Sequence, residues 1–173
     1  EVVLTNLNAL NVNEAGSLYL KACQIHADVS TARYALNVNS GGLIYADNTI
    51  FRNMGINGVY LKEGSYTDFD FLFQGCSFLD GAAGGTLLRI DNNEDLTLRS
   101  VIFPTNTWGG ASNVTKSVNA GHVYFVDYTG DYAGEANDND PYGLVTWVPV
   151  MSAAPYASPS TVCPGSSTQL FPG

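Results

Sequence analysis

From Leu10 to Phe103 the chain carries two interleaved series of alternating apolar and polar positions. One series occupies LYLKACQI (Leu18 to Ile25), LIYADNTI (Leu43 to Ile50), FLFQGCSF (Phe71 to Phe78) and LTLRSVIF (Leu96 to Phe103). Written one above another without gaps, these match Leu18 with Leu43, Phe71 and Leu96, and Leu20 with Tyr45, Phe73 and Leu98. The same alignment sets Cys23 beside Asn48, Cys76 and Val101, and Ile25 beside Ile50, Phe78 and Phe103, with segment starts 25, 28 and 25 residues apart. The other series is Leu10 and Val12, Leu36 and Val38, Val59 and Leu61, Leu88 and Ile90, at spacings of 26, 23 and 29. Its first two members belong to a pentapeptide that occurs twice word for word, ALNVN at Ala9 to Asn13 and at Ala35 to Asn39.

Alternation with a period of two predicts strands, and recurrence about every 25 residues without helical stretches predicts a solenoid whose turns are short parallel strands. A single turn cannot bury its own apolar face. Turns stacked at about 4.8 Å do so by laying Leu on Leu inside and Asn on Asn at the bends. The expected architecture is therefore all-β, a parallel solenoid of about four to six rungs. A β-sandwich is the competing reading of many short strands, but it has no need of residue-by-residue repetition.

After Phe103 the regularity lapses into PTNTWGGASNVTKSVNAG, read as a loop-like insertion holding Trp108, before HVYFVDY resumes strand character. GDYAGEANDNDPYG and LVTWVPV then read as a C-terminal cap, since Pro149 suits only an edge or an end. From 151 to 173 the chain turns to Pro, Ser and Thr, the composition of an extended linker. The expected organisation is a coil with its cap over 1–150 and a tail over 151–173. The repeat starts at once without a polar cap, so further rungs are expected before Glu1 as partners of the first turn.

The pattern resembles the right-handed parallel β-helix, the pectin-lyase-like fold, in which apolar-x-apolar-x-x-Asn/Cys-x-apolar ends a strand at a bend, as CQI, NTI and CSF do here. The resemblance covers about Val2 to Val126 and implies fold rather than activity; the right hand comes from it and from the crossover rule for parallel strands. SPSTVCPGSSTQL resembles the opening strand of Ig-like modules that follow β-helices in large type IX-secreted surface proteins of gliding bacteria. GEANDNDPYGLVTW resembles the end of β-helix regions in such proteins. Those resemblances imply a secreted or surface-displayed adhesin-like parent, with an Ig-like module as the downstream partner.

Composition narrows the partners. The 173 residues are 45% hydrophobic and only 13% charged, with a net charge of −9. Nucleic acid and anionic membranes are disfavoured, because phosphate binding needs clustered Lys and Arg. No apolar run approaches the length of a membrane span, so no membrane insertion is expected. Three cysteines leave one unpaired. Cys23 and Cys76 share a rung position with one rung between them, roughly 9 to 10 Å apart and beyond disulfide reach, so both are expected free and buried. Cys163 would pair only with a cysteine of the following module.

Candidate chemistry is sparse. Asp68 and Asp70 lie two apart in YTDFDFLF, with Lys62, Arg89 and Arg99 on other strands, but no set matches a polysaccharide lyase or hydrolase motif and no catalytic residue is assigned. Asp47 reads as a solvated neighbour of a bend-stacking Asn48, and His26 and His122 as polar edge residues. Glu135, Asp138 and Asp140, alternating with Asn137 and Asn139, are the candidate set for a hard cation such as Ca²⁺. No other cofactor is implied. Asn113 in NVT fits a glycosylation acceptor. Trp108, Tyr19, Tyr60 and Tyr66 are the candidate ligand-binding aromatics, with Tyr19 and Tyr60 outward because Leu18, Leu20, Val59 and Leu61 point inward. Together these predict a non-catalytic rigid spacer or adhesive surface with carbohydrate contact. The alternative is the C-terminal part of a polysaccharide lyase or hydrolase whose catalytic rungs precede Glu1.

Overall fold

The two ALNVN copies lie directly on one another in the computed structural model: Ala9 faces Ala35, Leu10 faces Leu36, Asn11 faces Asn37 and Val12 faces Val38 in parallel register. Asn37 Nδ2 donates to Asn11 Oδ1 at 2.9 Å and Asn39 Nδ2 to Asn13 Oδ1 at 2.8 Å, so the repeated amides form two short ladders on the outer face. The structure describes residues 1–4, 9–149, 156–158 and 169–171, apart from the side chains of 68–71 and of the last two segments. The Asp68 and Asp70 side chains, the inward placement of Phe71, Cys163 and most of the 151–173 tail lie outside the described residues. Of the tail, the backbones of Tyr156–Ser158 and Gln169–Phe171 pair antiparallel.

Stacked parallel strands form a β-solenoid of about five turns with three walls. The first wall is a six-stranded sheet in the order Ala9–Val12, Tyr34–Val38, Met54–Leu61, Thr86–Ile90, Ser112–Thr115 and Asp138–Asn139. The second consists of Ser17–Lys21, Leu43–Asp47 and Tyr66–Gln74, and beyond them Leu96–Arg99, Val123–Val126 and Val145–Val148. Gly75 N bonds to Arg99 O between the two halves. The third is Val2–Leu4, Gln24–Ala27, Ile50–Phe51 and Ser77–Phe78, prolonged by single bridges through Ile102 to Thr129.

On the first wall the expected register holds. Leu36 faces Val59, Val59 faces Leu88 and Leu88 faces Val114, all fully buried. The neighbouring inward column runs Val12, Val38, Leu61 and Ile90, and then Lys116. That lysine is buried at the capped end, where its Nζ donates to Asn92 O at 3.2 Å and Ile90 O at 3.5 Å. Burial lowers its pKa, against the raising effect of Asp91, Asp140 and Asp95.

The second segment of the other series sits one residue away from the gapless alignment. Leu18 faces Ile44, Leu20 faces Ala46 and Ile25 faces Phe51, so Ile44, Ala46, Thr49 and Phe51 fill the core while Leu43, Tyr45 and Ile50 lean outward. A slip of one residue exchanges the two faces of a strand, and the near-continuous run LIYADNTIF offers apolar residues to both. The third segment carries a bulge as well. Ile44 faces Thr67 but Ala46 faces Leu72, and Phe73 is an extra residue at φ 50. Its buried ring meets Phe51 and Phe78 edge-on at 6.1 and 5.3 Å. The left-handed conformation is costly for a bulky residue, and the aromatic packing offsets it.

The core of the third wall is an aromatic column. Phe51 stacks on Phe78 at 5.0 Å and Phe78 on Phe103 at 6.2 Å. Trp147 closes the column against Phe103 at 5.6 Å and stacks on Phe125 at 4.2 Å. Among the described residues Val145–Val148 pairs only with Val123–Val126, so Pro149 follows an edge strand, as its missing N–H requires. Cys23 and Cys76 are both free, with Thr49 rather than Asn48 between them: Thr49 Oγ1 lies 3.6 Å from Cys23 Sγ, and Thr49 N donates to Cys76 Sγ at 3.4 Å. Burial pushes the Cys76 thiol up to about 12.

The bend between the second and third walls repeats one conformation. Ala22, Asn48, Gly75, Ser100 and Asp127 all have positive φ, from 47 to 62°. Each N–H bonds to the carbonyl of the next turn: Asp47 O, Gln74 O, Arg99 O, Val126 O and Val148 O in order. Only Gly75 takes this conformation without a Cβ penalty. Replacing Ala22 or Ser100 by Gly should therefore raise stability by about 0.5–1 kcal/mol, after the entropy that glycine adds to the unfolded chain. Gly75→Ala should lower it by more than about 1 kcal/mol, because the new Cβ would lie 2.5 Å from Asn48 Oδ1. Urea denaturation midpoints check the order, and destabilisation by Ala22→Gly would contradict the shared left-handed bend.

Candidate functional site

The connections from the third wall to the first lie over one another on successive turns, at residues 28–33, 52–53, 79–85 and 103–111. The last is the longest, and it folds back toward its predecessors. Together they enclose an open cleft of about 520 Å³ lined by Arg33, Arg52, Asn53, Asp80 and Trp108, among others.

Trp108 is half-buried and packs against the core. Its indole Nε1 donates to Asn113 Oδ1 at 3.0 Å. A Cβ at Gly110 would fall 1.9 Å from the ring, so the backbone there can pass over the indole only because the residue is glycine. The ring is fixed from two sides and forms a wall of the cleft.

Asn113 takes a different place from the one its NVT pattern suggests. Ser112–Thr115, read from the sequence as part of a loop, is a strand of the first wall, and Asn113 is 2% exposed beneath the Trp108 loop. A glycan cannot be attached to a side chain so enclosed; the amide positions the indole instead. Val114 continues the inward column, and the insertion covers the outer face, so all four residues of the strand are buried. The inward Ser112 is polar, so Val114 is the strand's one apolar residue and no alternation marks it in the sequence.

The charges of the cleft are asymmetric. Asp80 Oδ1 accepts from Asn53 N at 3.1 Å, and Asp80 Oδ2 from Asn53 Nδ2 at 3.5 Å. Asn53 Nδ2 also reaches Ser30 O at 3.2 Å, tying neighbouring bends together. Arg33 Nη1 donates to Ser30 O at 2.8 Å and to Ala32 O at 2.9 Å, which holds the guanidinium at the rim. Neither Arg33 nor Arg52 forms an ion pair with Asp80 among the described residues. Beneath the cleft, burial raises the Tyr34 phenol above its ordinary range, and the charge of Asp80 adds to this.

The four candidate aromatics do not converge. Tyr19 is 64% exposed on the second wall, beside Tyr45 at 5.6 Å, and Tyr66 is 54% exposed on the same wall. Tyr60 is on the first wall, where its hydroxyl donates to Asp91 Oδ2 at 3.0 Å and the Arg89 guanidinium lies 4.7 Å from its ring centre. Arg89 Nε also donates to Asp91 Oδ2, at 2.7 Å, and Ser117 N to Asp91 Oδ1, at 2.9 Å, so this carboxylate is fully engaged. Arg33, Arg52 and Asp80, which do face Trp108, escape sequence reasoning because they lie on different turns at the bends rather than in the strand repeat.

Among the described residues no three His, Cys, Asp or Glu side chains gather as a metal site. Glu135 begins a short 3-10 turn, Asp138 Oδ2 accepts from Trp147 Nε1 at 2.7 Å, and Asp140 Oδ2 accepts from Val145 N at 2.6 Å. These two aspartates hold the cap together. Asp47 is buried, with Asn48 Nδ2 donating to its Oδ1 at 2.7 Å, rather than solvated. His26 bonds to Glu1 at 2.7 Å, and His122 lies 3.7 Å from Asp95 and stacks on Tyr124, so each histidine has its own local partner.

Burial raises the Asp138 carboxyl from 3.8 to about 6, opposed by the Trp147 hydrogen bond and reinforced by Glu135 and Asp140. The folded state therefore holds this proton to higher pH than the unfolded state does, and stability falls as pH rises from about 4 through about 6. Asp138→Asn keeps an acceptor for Trp147 and removes the titration. Urea denaturation across this window should show the variant gaining on the wild type as pH rises, and a difference independent of pH would contradict the assignment.

No protein-family model, no curated protein and no solved structure matches this chain.

Proposed function

We propose that this coil, of the right-handed pectin-lyase-like kind, is a non-catalytic segment of a secreted or surface-displayed protein and serves as a rigid spacer that contacts carbohydrate through the Trp108 cleft. Continuous backbone bonding between turns supports the first role, since bending the coil would break ladder bonds on a whole wall at once. The observation that carries the second is the fixed indole. Hydrogen-bonded to Asn113 and overlain by Gly110, Trp108 offers a preorganised apolar surface beside the polar groups Asn53 and Asp80. That pairing of a flat apolar wall with hydroxyl-directed acceptors and donors suits a sugar ring, whose faces are apolar and whose rim is polar. Adjoining rungs on one side and an Ig-like module on the other are the proposed neighbours within an adhesin-like, type IX-secreted parent.

Screening the purified chain and its Trp108→Ala variant against an array of neutral and acidic glycans tests the reading. Binding by the wild type that weakens about tenfold or more in the variant, with unchanged circular dichroism, is the expected result. Binding unaffected by the substitution, or no binding to any glycan, would overturn carbohydrate contact at this cleft.

A further inference from the structure

Where the first wall ends near the cap, two buried groups are left unmatched beside each other. Lys116 is fully buried, yet its ammonium has no carboxylate within ion-pair distance among the described residues. Asp91, Asp140 and Asp95 act on it only from a distance, and the Asp91 oxygens are held by Tyr60, Arg89 and Ser117. Two of its N–H groups reach main-chain carbonyls, Ile90 O at 3.5 Å and Asn92 O at 3.2 Å, and the third is left over. Asn92 is fully buried as well, and its side-chain Oδ1 accepts no hydrogen bond among the described residues. Its Nδ2 donates to Glu94 Oε2 at 3.4 Å, an oxygen that also accepts from Thr67 Oγ1 at 3.1 Å. One corner of the coil therefore gathers a desolvated amine, the carboxamide of the residue whose main chain it already touches, and a carboxylate bonded to that carboxamide.

We propose that this corner is a self-modification site, at which Lys116 Nζ and Asn92 Cγ become joined by an intramolecular isopeptide bond with Glu94 carrying the proton. The Nζ–Cγ bond forms and the Cγ–Nδ2 bond breaks, and nothing is oxidised or reduced. Lys116 enters as the ammonium and Asn92 as the primary amide; the products are a secondary amide and one ammonium ion, so atoms and charge balance. Burial favours the neutral amine that the attack requires. Glu94, bonded to Nδ2, takes a proton released by Nζ and passes it to the departing nitrogen. A primary amide is a poor electrophile, and the fixed neighbourhood of the two side chains compensates by raising their effective concentration. Loss of ammonia to solvent draws the step to completion, and the product no longer holds a buried cation. The bond encloses residues 92–116, one full turn that includes Leu96–Arg99 and the Trp108 insertion. It ties the turn that carries Trp108 to its neighbour and constrains the unfolded chain as other cross-links do.

The test is the mass of the intact chain, purified folded by circular dichroism and then denatured. The wild type should fall short of its sequence mass by one ammonia, and proteolysis should yield a branched peptide joining the Asn92 segment to the Lys116 segment. Lys116→Arg and Asn92→Ala should each show their full sequence mass. Glu94→Gln, at a partly exposed carboxylate, should keep the circular dichroism of the wild type and remain mostly unlinked. A folded wild type at full sequence mass would overturn the proposal and leave Lys116 as a buried, unreacted ammonium. An ammonia deficit that maps elsewhere, such as to Asn57–Gly58, or that persists in Lys116→Arg, would overturn it equally. Full linkage in Glu94→Gln would overturn the part given to that carboxylate.

Discussion

Every feature of this molecule depends on in-register parallel pairing between successive turns. Each strand of a wall both donates to and accepts from the turns on either side, so one residue's position fixes its counterparts a turn away. Like residues are thereby brought together, and the sequence can use the same solution repeatedly: Leu36, Val59, Leu88 and Val114 in one buried column, Phe51, Phe78 and Phe103 in another. The solvent side obeys the same constraint, with Asn11 bonded to Asn37 and Asn13 to Asn39. Tyr19 beside Tyr45 is the aromatic version on the second wall.

Stacking also sets what the ends and corners must supply. At the capped end the column that holds Ile90 receives Lys116, whose ammonium takes the carbonyls of Ile90 and Asn92. Trp147 covers the aromatic column there, anchored through Asp138. At the corner between the second and third walls, five turns enter the left-handed region although four of the residues are not glycine. The hydrogen bond that each makes to the next turn fixes the bend, whatever side chain sits there.

The fold was legible in the sequence because burial imposes periodicity, and most of the site was not, because bends escape it. The ALNVN copies and the Leu36, Val59, Leu88 series gave both architecture and register. Leu43 misled, since LIYADNTIF is apolar on both faces and only pairing decides that Ile44 is inside. Ser112–Thr115 was hidden because its inward Ser112 is polar and leaves Val114 as the one apolar residue, and Lys116 because no periodicity argument places a charge in a core column. Of the candidate aromatics, Trp108 alone lies in the cleft, and its partners Arg33, Arg52 and Asp80 come from three other turns where insertions of different length obscure any spacing.

A cleft built on stacked bends inherits its rigidity from the walls beneath, which links the architecture to the proposed recognition. The most direct test of the stacking is through-space NMR contacts of Val59. The account requires backbone contacts from Val59 to both Leu36 and Leu88, in the pattern of parallel neighbours. Contacts to neither, or the close Hα to Hα pairs of antiparallel strands, would contradict it.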